Sequence, residues 1–209
     1  MKLLKLAVFA SGRGSNFQSI YNAIQNNTLH AQVNVVISNN ADAGALEFAR
    51  ENRIPAIHLN RMQFRSGIEF DEALLDVLNK YDANFIVLAG YMKLLRSKIT
   101  KAFHNRILNI HPALLPAFGG KGMYGHFVHE AVLKSGCKVS GVTVHVVDEE
   151  YDRGPIVKQE CVPVEEGDTP DSLAARVLKT EHKIFVQALQ LFAEERISIE
   201  NGRTLISEK

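Results

Sequence analysis

With 209 residues, 46% of them hydrophobic and 22% charged, the chain has material for one large domain around a substantial buried core, and a single domain spanning 1–209 is expected. Its 24 Lys and Arg against 23 Asp and Glu, a formal net charge of +1 at pH 7, exclude the broad basic field that draws in nucleic acid or acidic membranes, so any bound phosphate must be met locally. Cys137 and Cys161 lack the spacing of a metal site or disulfide framework, and Lys2 and Lys5 lead into no long apolar run; a cytoplasmic protein without leader or membrane span is the simple expectation.

In chain order, Leu3 to Ala10 is a short apolar run that reads as a strand and ends in Ser-Gly-Arg-Gly-Ser-Asn. Phe17, Ile20, Tyr21 and Ile24 then recur at helical spacing up to Asn26-Asn27. The pattern repeats: strand at Val33 to Ile37, helix at Ala43 to Glu51, short strand at Ala56 to Leu59, helix at Ile68 to Lys80. Phe85 to Ala89 is almost continuously apolar, as suits a strand covered on both faces. Another strand runs from Arg106 to His111, and a Gly- and Pro-rich loop from Pro112 to Gly125 leads into a helix at Phe127 to Lys134. Alternating strands follow at Val139 to Val147 and Ile156 to Val164. A closing helix over Asp171 to Glu195, capped by Thr169 or Asp168 with Pro170 at its first position, precedes a small hairpin around Asn201-Gly202. The fold class is therefore α/β: a Rossmann-like, mostly parallel central sheet with helices on both faces and an antiparallel C-terminal part.

The glycine loop, Gly12-Arg13-Gly14-Ser15-Asn16-Phe17, begins like a dinucleotide fingerprint but has Phe17 where the third glycine belongs, and Ser38-Asn39-Asn40 offers no acid for a ribose hydroxyl. No nicotinamide cofactor is expected, and the lack of a following Gly-Lys-Ser/Thr excludes a P-loop. A monophosphate suits the free amides of the first helical turn, with side-chain donors from Ser15 and Asn16. The plainer alternative is a tight turn at Gly12 and Gly14 with Asn16 as a helix cap.

Asn109 and His111 stand i, i+2 on one face of a strand, at the carboxyl end where open α/β sheets bind ligands. Pro112 favours extended geometry at His111 and ends the strand. Without a partner this pair would be a strand-end amide and a satisfied core histidine. The acidic loop from Asp148 to Asp152 offers a partner: a carboxylate folded against His111 would favour imidazolium and raise its pKa. Asn109 can donate to an oxyanion, and no Ser or Cys nucleophile adjoins the histidine, so direct acyl transfer through a tetrahedral intermediate is indicated.

These segments together resemble the phosphoribosylglycinamide formyltransferase family. The resemblance runs through Ala10 to Asn16, Val87-Leu-Ala-Gly-Tyr-Met92, Leu108-Asn-Ile-His-Pro-Ala-Leu-Leu-Pro116, and His145 through Asp152 to Gly154-Pro155, covering roughly residues 3 to 196. It implies Asn109, His111 and Asp152 as the catalytic trio; Gly14, Ser15 and Asn16 as the cradle of a 5′-phosphate; and Glu181 as the acid that meets the ribose or glycinamide part. It implies a folate pocket at Met92, Lys93, Leu94 and Leu95, with Asn109 and the loop Asp148, Glu149, Glu150, Tyr151 and Asp152 as its other wall. The implied formyl donor is 10-formyltetrahydrofolate, the partners are small molecules, and the protein is a monomer or homodimer.

A folate-contacting Arg of the family has no counterpart at the matching Gly67, and Arg65 is the nearby cation. His126 and His129 could form a metal set with His145, but no carboxylate or thiolate stands at defined spacing and no metal is expected. Related formyltetrahydrofolate deformylases and methionyl-tRNA formyltransferases carry an added N-terminal or C-terminal domain for which this chain shows no sequence. A non-catalytic nucleotide-binding module is the reading from another class, and the trio argues against it.

Overall fold

In the computed structural model, which describes residues 1–208, a seven-stranded sheet carries the order β3-β2-β1-β4-β5-β6-β7. The strands are β1 (Leu4–Phe9), β2 (Ala31–Ser38), β3 (Ala56–His58), β4 (Phe85–Leu88), β5 (Ile107–His111), β6 (Val139–Val146) and β7 (Ile156–Pro163). Strands β1 to β5 run parallel, while β6 and β7 are antiparallel, as the sequence suggests. The connecting helices are α1 (Ser15–Gln25), α2 (Gly44–Glu51), α3 (Gly67–Lys80), α4 (Ser97–Ala102), α5 (His126–Lys134) and α6 (Pro170–Ala193).

Strand β4 shows why both faces are covered. All four of its residues are buried; Phe85 and Val87 join one apolar cluster, and Ile86 and Leu88 the other. The first cluster collects Phe17 and Ile20 of α1, Leu46 of α2, Val128 and Val132 of α5, and Leu173 to Ala193 of α6. The second holds Phe70, Leu74 and Leu78 of α3 with Ile99 of α4. The crossovers leave β1 for one edge and β4 for the other, so the sheet has its topological switch point between them.

Local signals fix the ends of several elements. Thr169 accepts from the Ser172 N–H at 3.2 Å with Pro170 at the first helical position, so α6 starts with a side-chain cap. Asn201 and Gly202, with φ of 50° and 73°, turn a separate hairpin of β8 (Ile197–Glu200) and β9 (Arg203–Ile206). Two short pieces were not expected: α4, and a 3-10 turn at Arg61–Gln63 closed by Asn60 and Gln63.

Candidate active site

At the switch point the carboxyl ends of β1, β4 and β5 open into a cavity of about 650 Å³. Asn16, Met92, Asn109, His111, Asp152 and Glu181 all line it, together with Lys93, Leu94, Leu95, Glu150 and Tyr151. Residues from five separate stretches of the chain thus share one space. Gly14, Ser15, Asp148 and Glu149 are not among its lining residues. Asp148 instead accepts the Glu150 N–H at 2.8 Å, shaping its own loop, and Glu149 pairs with Lys101 at 3.4 Å.

The period-2 geometry of β5 does what the sequence pattern requires. Ile107 packs in the α3–α4 cluster and Leu108 and Ile110 in the other, while Asn109 and His111 continue the row of Ile107 into the cavity. Beyond Pro112 the loop is fastened to β6 and β7. Thr143 donates to the Ala113 carbonyl at 2.6 Å and accepts from Leu115 N–H at 3.0 Å, and Gln159 donates to the Leu115 carbonyl at 2.9 Å.

That fastening returns the loop to His111. The Phe118 carbonyl lies 2.8 Å from Nε2 of His111, and because a carbonyl only accepts, Nε2 carries the proton. Nδ1 faces Asp152 Oδ2 at 3.7 Å. The Gly120 N–H donates to the same Oδ2 at 2.8 Å, and Asp152 Oδ1 lies 3.6 Å from Nε2 of a second histidine, His145. The approach is tight: a Cβ on Gly119 would stand 2.5 Å from Leu115 Cδ2 and 3.3 Å from Asp152 Cβ. Phe118 and Asp152 themselves hold φ of 54° and 55°, the left-handed region that side chains other than glycine adopt rarely.

The electrostatics differ from the expectation in one respect. Asp152 does pull the pKa of His111 up, as does the Phe118 carbonyl, but burial of the imidazole is the larger effect and the net shift is downward. An anionic partner 3.7 Å away does not replace the water lost by a ring that is 3% exposed. For Asp152, burial would raise the carboxyl, yet His145, His111 and the Gly120 amide together hold it below the usual carboxylate value.

His145, weighed in the sequence only as a partner for a metal set, is the cavity residue whose place beside Asn109 the sequence does not give. It is 2% exposed, stands directly across the antiparallel pair from Asn109, and its Nε2 lies 3.0 Å from Asn109 Nδ2. The available signal was the alternation of β6, which sends Thr143 and His145 to one face; the strand register that sets His145 against Asn109 is not written in local sequence.

Asn16 carries the cavity lining to the start of α1, where the glycine loop turns. Gly14 has φ of 79°, and a Cβ there would meet the Cβ of Ala45 at 2.7 Å. Among the described residues no protein acceptor meets the N–H groups of Gly14, Ser15, Asn16 or Phe17, which leaves an amide cluster at the start of α1. The Asn16 side chain is engaged elsewhere: its Nδ2 donates to Glu181 Oε2 at 2.5 Å, and its buried Oδ1 has no partner among the described residues. Burial raises the pKa of Glu181, and the bond from Asn16 offsets part of that.

Along the cavity wall, Met92, Leu94 and Tyr151 expose apolar surface, being 48%, 40% and 41% accessible. Ser11 accepts the Met92 N–H at 2.9 Å and donates to Asn39 at 2.6 Å, which anchors the segment to β1. The cation over Gly67 is Arg96: its guanidinium leaves no room for a Cβ there, and Nε pairs with the buried Asp71 at 3.0 Å. Arg65 contributes its backbone N–H to Glu69 at 3.0 Å. Among the described residues no three His, Cys, Asp or Glu side chains are grouped to hold a metal ion, and no helix is long and apolar enough to cross a membrane.

The family model described as formyl transferase matches residues 4–189. Phosphoribosylglycinamide formyltransferase, chloroplastic, of Arabidopsis thaliana is 48% identical over 98% of this chain and 71% of its own length. Phosphoribosylglycinamide formyltransferase of Haemophilus influenzae is 37% identical over 98% of this chain and 94% of its own. The crystal structure of glycinamide ribonucleotide transformylase 1 from Symbiobacterium toebii superposes with a TM-score of 0.93 at 43% identity, covering 99% of this chain and 95% of that one.

Proposed function

The chain belongs to the formyl transferase family, and from that premise we propose that it transfers the formyl group of 10-formyltetrahydrofolate to the amine of N1-(5-phospho-D-ribosyl)glycinamide, in de novo purine biosynthesis. One observation carries this: Asn109 and His111 project side by side into a cavity that reaches Asn16, at the start of α1 where the backbone amides are free, and that is walled by apolar surface at Met92, Leu94 and Tyr151. The amides of Gly14, Ser15 and Asn16 suit a single phosphate, supplemented by the Ser15 hydroxyl. The orphan Oδ1 of Asn16 and the Glu181 carboxyl ask for ligand N–H or O–H groups, as a ribose or glycinamide provides. Met92, Leu94 and Tyr151 form the wall on which a flat pterin would lie.

In this mechanism the glycinamide nitrogen attacks the formyl carbon, a C–N bond forms, and the carbonyl oxygen becomes an oxyanion that receives a hydrogen bond from Asn109. Burial keeps His111 neutral near pH 7 with Nδ1 unprotonated, so Nδ1 can take the proton of the attacking amine through water, and Asp152, which faces that nitrogen, stabilises the imidazolium that results. Return of that proton to N10 of the folate, directly or through water, accompanies cleavage of the C–N10 bond, leaving tetrahydrofolate and the formylated ribonucleotide. Both substrates are small molecules; a cytoplasmic monomer or homodimer without nucleic acid, resident cofactor or metal completes the proposal.

The test is to mix the protein with 10-formyltetrahydrofolate, with and without the ribonucleotide. Formyl loss only when the ribonucleotide is present supports the transferase. Loss without it would instead mean water is the acceptor, and no loss in either mixture would remove the catalytic reading.

A further inference from the structure

His145 has two ring nitrogens and two fixed neighbours. Nδ1 lies 3.1 Å from the Val146 carbonyl, which can only accept, so Nδ1 carries a hydrogen. In the neutral ring Nε2 is then a lone pair, and it needs a donor. The nearest polar atom is Asn109 Nδ2 at 3.0 Å; Asp152 Oδ1 is farther at 3.6 Å and, being an acceptor, is served by Nε2 only when the ring is charged, the form in which His145 holds the Asp152 carboxyl down. An amide oxygen turned toward that nitrogen would face a lone pair, so the ring reads the amide and selects its orientation.

We propose that His145 is a positioning residue: its Nδ1–H tautomer makes Nε2 an acceptor that holds Asn109 by one amide hydrogen and leaves the other for the reacting oxygen. This rests on the transferase reading for its catalytic consequence, but not for the tautomer itself. Strand pairing supplies the rigidity, because Asn109 and His145 are opposed in the β5–β6 ladder and the Val146 carbonyl belongs to the same ladder. Neither side chain needs a mobile loop to find the other.

Two variants separate positioning from packing. His145→Phe keeps a ring of similar size and removes the acceptor; His145→Gln retains an acceptor oxygen in a less ring-like shape. Displacing a reacting group by about 1 Å can cost on the order of 10²-fold. The expected result is a loss of that order in kcat for the Phe variant with little change in either KM, and partial recovery in the Gln variant. A Phe variant with wild-type kcat, or one better than Gln, would overturn the proposal, since packing alone would then suffice. Nitrogen-15 NMR of the labelled wild-type protein reads the tautomer without any turnover. Protonated Nδ1 and bare Nε2 in His145, with an Asn109 amide proton shifted by the ring and relaxed in the Phe variant, is the supporting pattern. A protonated Nε2 would overturn it whatever the enzyme's activity, so this arm and the mixing experiment fail independently.

Discussion

At the scale of single residues, the joint projection of Asn109 and His111 into the cavity was legible because polar side chains at i, i+2 at the end of an apolar strand share one face. Replacing Asn109 with Ala removes the donor proposed for the oxyanion and should lower kcat by about 10²–10³-fold, with far-UV circular dichroism unchanged. His111→Ala should cost a comparable factor, and near wild-type turnover in either variant would sink these roles. What the sequence did not reveal was the balance of forces on His111. A nearby carboxylate argues for a raised pKa, but the depth of burial, a tertiary property, reverses the sign. Asn16 tells a similar story. Its place in a Gly-Ser-Asn loop suggested a phosphate ligand, whereas its side chain reaches across to Glu181 on α6, 165 positions away.

At the scale of elements, the alternating strands and helices were readable from periodicity because each long element has a defined apolar face. The six-residue helix α4 was missed: Ser-Lys-Ile-Thr-Lys-Ala is too short for a periodic signal, and it exists because Ile99 and the following Phe103 pack into the α3 cluster. The loop from Pro112 to Gly125 was recognised as Gly- and Pro-rich, but its role could not be. It wraps the Asp152 carboxylate, with the Gly120 N–H donating to Oδ2 at 2.8 Å and room beside Gly119 so small that an added Cβ would stand 3.3 Å from Asp152 Cβ. Gly119→Ala should therefore push Asp152 away from His111 or displace Leu115. The expected outcome is an activity loss of at least tenfold, since a misplacement of about 1 Å can cost ~10²-fold. Ala at the neighbouring Gly122 has open space for its Cβ and serves as the contrast, carrying only the strain of φ 90°. Equal activity in wild type and Gly119→Ala would show that the loop tolerates the extra methyl without moving the carboxylate.

At the scale of the whole molecule, buried histidines make stability depend on pH. His129 of α5 is held down to about 4, first by burial and then by the charges of His126 and His111, against an ordinary value of 6.5. The unfolded chain takes up that proton first, so the stability contributed by neutral His129 is full above about 6.5 and is lost as pH falls toward about 4. His111 and His182, also lowered by burial, act with the same sign. Urea unfolding of His129→Leu should accordingly show a flatter loss of stability across that window than wild type, without abolishing it. Ligand linkage tests the joined architecture more directly, because the proposed phosphate end lies at the start of α1 while Glu181 belongs to α6, and a substrate spanning them would bind only the folded sheet. At about 100 times its Kd the ribonucleotide should stabilise the protein by about 2.7 kcal/mol. For a chain of this size that corresponds to a rise of roughly 5–11 °C in Tm, at about 2–4 °C per kcal/mol. Gly14→Ala, which sets a Cβ against Ala45 and strains a φ of 79°, should lose most of that rise. A folate analogue, seated on the Met92 and Tyr151 wall, should still stabilise the variant as it does wild type. An unchanged response to the ribonucleotide would place the phosphate somewhere other than the amides that begin α1.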